Sequence, residues 1–133
     1  MTCLTLRVGA DELTVRAPSA ETGGAIFAAE VTMPPGGGPP SMHRHAPSEI
    51  YYVLEGEFTF YLGDEVRVAG PGDVVPIAGG LAHNIRNESS APARALAMYA
   101  PGEPMERFVH GAAELTAPAE VVALAERHGI EML

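Results

Sequence analysis

The sequence predicts an all-β fold, a barrel or double-sheet roll of about ten short strands with a short helical segment at its C-terminal end. Three observations predict it. Apolar residues make up 47% of the chain, yet they are spread in short runs and never gathered into one block. The 15 glycines and 12 prolines fall between those runs as punctuation, the pattern of a turn-rich β domain and not of disorder. No helical pattern occupies the centre of the chain.

Taken in order, Thr5–Val8 and Leu13–Ala17 read as a first strand pair joined around Gly9-Ala10-Asp11. Gly24–Met33 is a longer run that ends in a Pro/Gly-rich connection over residues 34–40. That connection lacks the Gly-Lys-Ser/Thr of a phosphate loop and reads as a stiff linker. Ile50–Leu54 and Phe58–Leu62 flank Glu55-Gly56-Glu57 as a hairpin. Glu65–Val68 and Val74–Ile77 follow, separated by Pro71-Gly72-Asp73, and His83–Asn87 and Arg94–Tyr99 complete the set. Glu103–Leu115 is mixed with helical character. Pro118–His128 is a clearer helix, with proline suited to its first position and Gly129 to its end. Its residues Val121, Leu124, Ala125 and His128 share one face, which predicts packing on the outside of the roll.

The length of 133 residues suits one domain, with a barrel core over about 24–100 and the helical segment over about 103–129. Cys3 is the sole cysteine, so an intrachain disulfide and a thiolate cluster are excluded, and Cys3 reads as a bystander. The formal charge of -9 repels nucleic acid and anionic lipid, and no basic cluster overrides it. No run reaches the roughly 18 to 20 apolar residues of a membrane span. Met1–Arg16 lacks the pattern of a secretory signal, so a cytoplasmic location is expected. The partner expected is a small molecule in a shielded pocket.

Chemistry concentrates in His43, His45, Glu49 and His83. Residues two apart in a strand face one side, so His43 and His45 both aim inward, and Glu49 keeps that parity. Three of the five histidines fall in this one arrangement, while His110 and His128 have no partner at matching spacing and are assigned to packing or a helix end. Three neutral imidazoles and a carboxylate suit one divalent transition metal, Fe, Mn, Ni, Co, Cu or Zn, better than calcium. Parity also proposes the pocket wall: Tyr51 and Val53 counted from Glu49, Ile85 counted from His83, with Phe27, Met33, Phe58, Phe60 and Met98 as further candidates. Of these, Tyr51, Phe60, Ile85 and Met98 are the expected substrate contacts. An apolar mouth of this kind suits an aromatic or polyketide-like guest over a sugar.

These residues resemble a family. Gly37-x5-His43-x-His45-x3-Glu49-x6-Gly56 reproduces the first cupin motif at every signature position. Gly72-x5-Ala78-x-Gly80-x2-His83-x3-Asn87 is similar to the second, with Ala78 where the family has proline. The resemblance implies a double-stranded β-helix, the cupin jelly-roll barrel, with His43, His45, Glu49 and His83 as metal ligands. It also implies a homodimer, for which Thr5–Ala17 is the candidate exchanged or added edge. The turn at 52–56 and the ending at 128–131 look like small bacterial quercetinase-like cupins. The implied activity is a dioxygenase acting on a small enolisable or aromatic substrate of the flavonol or polyketide type. In it Glu49 serves as ligand and, when it swings off, as general base. Because cupins share one barrel across many activities, a non-redox isomerase, cyclase or lyase and a non-catalytic ligand-binding module stand as alternatives. No Gly-x-Ser-x-Gly hydrolase elbow is present.

Overall fold

A computed structural model of the chain describes residues 4–133, so Cys3 lies outside the described residues. The order is β1 (Thr5–Val8), β2 (Asp11–Ala17), a 3-10 turn (Ser19–Thr22), β3 (Phe27–Met33), β4 (His43–Arg44), β5 (Ser48–Glu55), β6 (Phe58–Leu62) and β7 (Glu65–Ala69). Then come β8 (Val74–Ile77), β9 (His83–Arg86), β10 (Ala93–Ala100), α1 (Glu103–Ala112), α2 (Pro118–Arg127) and β11 (Glu131–Met132). The strands form a six-stranded sheet ordered β1-β2-β3-β10-β5-β8 and a five-stranded sheet ordered β11-β4-β9-β6-β7. Every pairing is antiparallel. This is the expected all-β roll, two sheets facing each other across one interior. No helix among the described residues is long and apolar enough to cross a membrane.

Alternation of side chains fills that interior. Phe27, Val53, Phe58 and Phe60 are fully buried, and Val75, Ile77 and Ile85 lie beside them. Each such side chain contributes about 1.5–3 kcal/mol on leaving water. The chain turns from β5 into β6 at Gly56, where φ is +75° and a Cβ would sit 2.6 Å from the Pro92 carbonyl oxygen. Only glycine fits both demands.

The structure adds detail that the sequence expectation did not carry. β3 begins at Phe27, not Gly24, because the Gly24 and Ala25 carbonyls accept the Gly102 N–H and Gly24 also accepts the Glu103 N–H. Those carbonyls are thus spent on the start of α1. The C-terminal helix was expected on the outside of the roll. It is largely solvent-exposed, and its inward side, Val121, Val122 and Ala125, lines a cavity together with Met105 and Val109 of α1. Leu124 packs towards α1, where a Cβ on Gly111 would meet it at 2.9 Å. β11 had no sequence signal. It pairs with β4, placing Met132 opposite His43 and Glu131 opposite Arg44.

Asn87, the last residue of the second motif, is structural. It is fully buried. Its Nδ2 donates to the carbonyls of Met33 (2.9 Å) and Ala91 (2.8 Å), and its Oδ1 accepts from the Ser89 N–H (3.0 Å) and hydroxyl (2.7 Å). Asn87→Ala should cost about 3 kcal/mol, since several partners are left buried and unsatisfied. Urea unfolding measures it, and a loss below about 0.5 kcal/mol would show that other contacts hold this loop.

Candidate metal centre

The site forms where β4, β5 and β9 meet. His43 on β4 is paired directly with His83 on β9. His45 follows β4, and the Gly80 N–H donates to its carbonyl at 2.8 Å, tying the approach to His83 onto the first motif. Glu49 enters from β5, between Ile77 of β8 and Tyr99 of β10. All four side chains are buried. One ring nitrogen from each of His43, His45 and His83 lies within 4.8 Å of the others. Glu49 Oε1 lies 2.7 Å from His83 Nε2 and 3.8 Å from His45 Nε2.

The imidazoles share one device. Nδ1 of His43 is 3.0 Å from the Ser41 carbonyl, Nδ1 of His45 is 2.9 Å from that of Pro47, and Nδ1 of His83 is 2.8 Å from that of Leu81. A carbonyl only accepts, so each Nδ1 carries a proton and each Nε2 is turned towards the site. With Nδ1 held by backbone groups, Nε2 is the atom each ring can offer to a metal.

His83 Nε2 makes no hydrogen bond although it is buried and 2.7 Å from Glu49 Oε1. A proton on that nitrogen would make a charge-assisted hydrogen bond to the carboxylate, so the pair marks a place where positive charge is favoured. The three imidazoles are grouped closely enough to hold a transition metal, while Glu49 lies against His45 and His83 and outside that three-histidine group.

Burial pushes the His43 pKa down to about 4, against the opposing pull of the Ser41 carbonyl. Burial likewise lowers His45, with the Glu49 charge opposing. At His83 burial again favours the neutral ring, but contact with Glu49, its charge and the Leu81 carbonyl together outweigh it and raise the pKa. The proton His83 attracts there marks where positive charge is favoured.

The site opens into a cavity of about 340 Å³ whose wall is chiefly apolar. Tyr51 and Tyr99 face it with hydroxyls 3.4 Å apart. Burial, followed by the nearby Glu49 charge, pushes both phenols upward, so they stay protonated and serve as hydrogen-bond donors. No arginine lines the cavity among the described residues, and the sequence has no lysine.

Of the residues expected to contact substrate, Tyr51 and Ile85 line this cavity and two do not. Phe60 lies wholly in the core, its ring 5.3 Å from that of Tyr51. Met98 is on the opposite face of β10 from Ala97 and Tyr99, so its side chain points away from the interior. The aromatic group of β10 that reaches the site is Tyr99, one residue along. Of the other candidates, Met33 lines the cavity, while Phe27 is buried with its ring stacked on Tyr99 at 5.8 Å. His110 is exposed on α1, and His128 caps α2 with its ring 6.2 Å from Phe108. Sequence reasoning missed Asp11, Ile130 and Met132, which also line the cavity.

Comparison with known proteins agrees with this geometry. A family model described as a cupin domain matches residues 29–99. The chain belongs to the cupin family. Among solved structures, an RmlC-like cupin from Shewanella frigidimarina superposes with a TM-score of 0.68 at 19% identity, covering 81% of this chain and 90% of that one. A predicted oxalate decarboxylase from Thermotoga maritima gives 0.64 at 25% identity, covering 75% and 92%. DMSP lyase DddQ from Ruegeria pomeroyi gives 0.52 at 35% identity, covering 58% of this chain but 39% of that one. No curated protein matches the sequence.

His43→Ala and His83→Ala should each abolish stoichiometric metal binding while leaving circular dichroism unchanged. Elemental analysis of protein made without a chelating tag checks this. Full metal occupancy in both variants would place the site elsewhere.

Proposed function

We propose that this cupin is a metal-dependent enzyme that holds a small, largely apolar, enolisable or aromatic substrate by an oxygen bearing negative charge and promotes loss of its acidic proton. The observation that supports it most is the set of three Nδ1-to-carbonyl tethers. They turn three Nε2 atoms towards one buried region, with the Glu49 carboxylate beside two of them, and His43, His45 and Glu49 open onto the cavity. A divalent metal held there by His43, His45, Glu49 and His83 would supply the positive charge that favours an anionic oxygen and lowers a hydroxyl pKa.

The chain's own groups do the rest. Tyr51 and Tyr99 donate hydrogen bonds to substrate oxygen from a dry wall, where such bonds count for more than in water. The apolar wall excludes water, and the lack of a lining cation disfavours phosphorylated guests. Glu49, when it moves off its histidine partners, is the nearest carboxylate able to take the substrate proton.

In its fullest form this is a dioxygenase of the quercetinase type, consuming dioxygen together with the ionised substrate. A second, non-redox reading, elimination or isomerisation after the same proton loss, draws support from the 35% identity to DMSP lyase DddQ.

Protein loaded separately with Fe, Mn, Ni, Co, Cu or Zn should be offered flavonols and 1,3-diketones in an oxygen electrode. Stoichiometric oxygen uptake with product formation is expected of the dioxygenase. Deuterium exchange at the substrate's acidic carbon, without uptake, would instead fit the non-redox enzyme. Ligand binding with neither would make the chain a binding module. Tyr51→Phe and Tyr99→Phe should each keep the metal and lower turnover roughly tenfold. Unchanged turnover in both would remove the phenols from the mechanism.

A further inference from the structure

Two buried side-chain polar atoms lack a hydrogen-bond partner among the described residues: His83 Nε2 and Asp11 Oδ1. The first belongs to the metal centre. The second does not. Asp11 opens β2, across the tight hairpin from Val8, and is a lining residue of the same cavity as His43, His45 and Glu49. Leaving a carboxylate oxygen buried and unsatisfied is costly unless something in the cavity meets it.

The surroundings hold that oxygen in place. Gly37, the first residue of the first motif, lies so close that a Cβ there would sit 2.7 Å from Asp11 Oδ1 and 2.7 Å from Met33 Cγ. Arg86, the nearest candidate counter-ion, is committed elsewhere. Its guanidinium donates to the carbonyls of Gly36 (2.7 Å), Gly38 (2.9 Å) and Pro39 (2.8 Å), shaping the loop instead of pairing with Asp11. Burial raises the Asp11 pKa to about 6, while the Gly38 N–H and the Arg86 charge oppose it. The carboxyl is thus largely ionised at neutral pH. It is near enough to add to the forces that hold Tyr51 protonated.

We infer that Asp11 is a ligand-recognition residue of the cavity, accepting a hydrogen bond from an O–H or N–H group on a molecule whose other end occupies the metal centre. This rests on the metal centre proposed above. The ligand class is therefore bifunctional: a chelating oxygen pair at one end, an apolar body, and a hydroxyl or amine donor at the other. An ammonium group fits as well as a hydroxyl, because Asp11 and Glu49 bring negative charge to the wall and, among the described residues, no arginine is part of that wall.

Three probes that share one chelating group test this on zinc-loaded protein by titration calorimetry. They are kojic acid with its pendant hydroxymethyl group, allomaltol with methyl in its place, and the aminomethyl analogue. Wild type should bind kojic acid about tenfold more tightly than allomaltol, and the amine at least as tightly as kojic acid. Asp11→Ala should bring all three within about twofold of one another, with zinc content and allomaltol affinity unchanged. Asp11→Asn keeps the shape and an acceptor oxygen, so it should keep the kojic acid preference and lose any added advantage of the amine. Equal affinities in wild type, or a preference that survives in Asp11→Ala, would overturn the role of Asp11 and leave the metal centre standing. Failure to retain zinc or to bind allomaltol would overturn the metal centre and this role with it.

Discussion

A hydrogen bond from each histidine Nδ1 to a backbone carbonyl two residues away is the constraint on which the rest of the site depends. It makes ring orientation a property of the backbone. His43 and His83 each reach back, to Ser41 and Leu81, whereas His45 reaches forward to Pro47. The carbonyls in turn sit in turns fixed by the Pro/Gly-rich approach, by Pro47 itself and by the Gly79-Gly80 corner. A strand as short as β4, two residues long, would be a poor platform alone. It is held between β9 on one side and β11 on the other, with Arg44 bonded to Glu131 through both oxygens at 2.9 and 3.0 Å. That ion pair is exposed, so its part is to fix register more than to add stability.

Placing three imidazoles and a carboxylate inside a small barrel opposes folding. The cost is offset by the apolar layers around Phe27, Phe58 and Phe60 and by satisfaction of almost every buried polar atom. The atoms left unsatisfied are informative for that reason. They mark where the fold expects positive charge or a donor from outside the chain. The same dry surroundings keep Tyr51 and Tyr99 protonated and make their hydroxyls effective donors, which is the condition the proposed substrate activation needs.

Much of this was legible in the sequence where a strong local rule applied. Alternation marked Thr5–Val8, Phe58–Leu62 and Val74–Ile77 with their observed bounds, and motif spacing drew attention to His43, His45, Glu49 and His83. Parity worked along β5 and β9, giving Tyr51 and Ile85. On β10 the choice of Met98 followed side-chain type over parity, and the interior position belongs to Tyr99. Asp11 was hidden because an aspartate beside Gly9-Ala10 reads as turn chemistry. Ile130 and Met132 were hidden because β11 is two residues long and exists only by pairing with β4. The placement of α2 against the cavity was equally out of reach, since an amphipathic helix states which face is buried and not against what.

The central claim is that the backbone holds Nδ1 of all three rings protonated and turns each Nε2 towards the site. Long-range proton–nitrogen NMR of the metal-free protein reads that directly. At neutral pH His43 and His45 should show a protonated Nδ1 and an unprotonated Nε2. His83 should show Nδ1 protonated, and on adding one equivalent of zinc all three Nε2 signals should shift together. Nε2–H tautomers at His43 and His45, or zinc-induced shifts confined to Nδ1, would contradict the account.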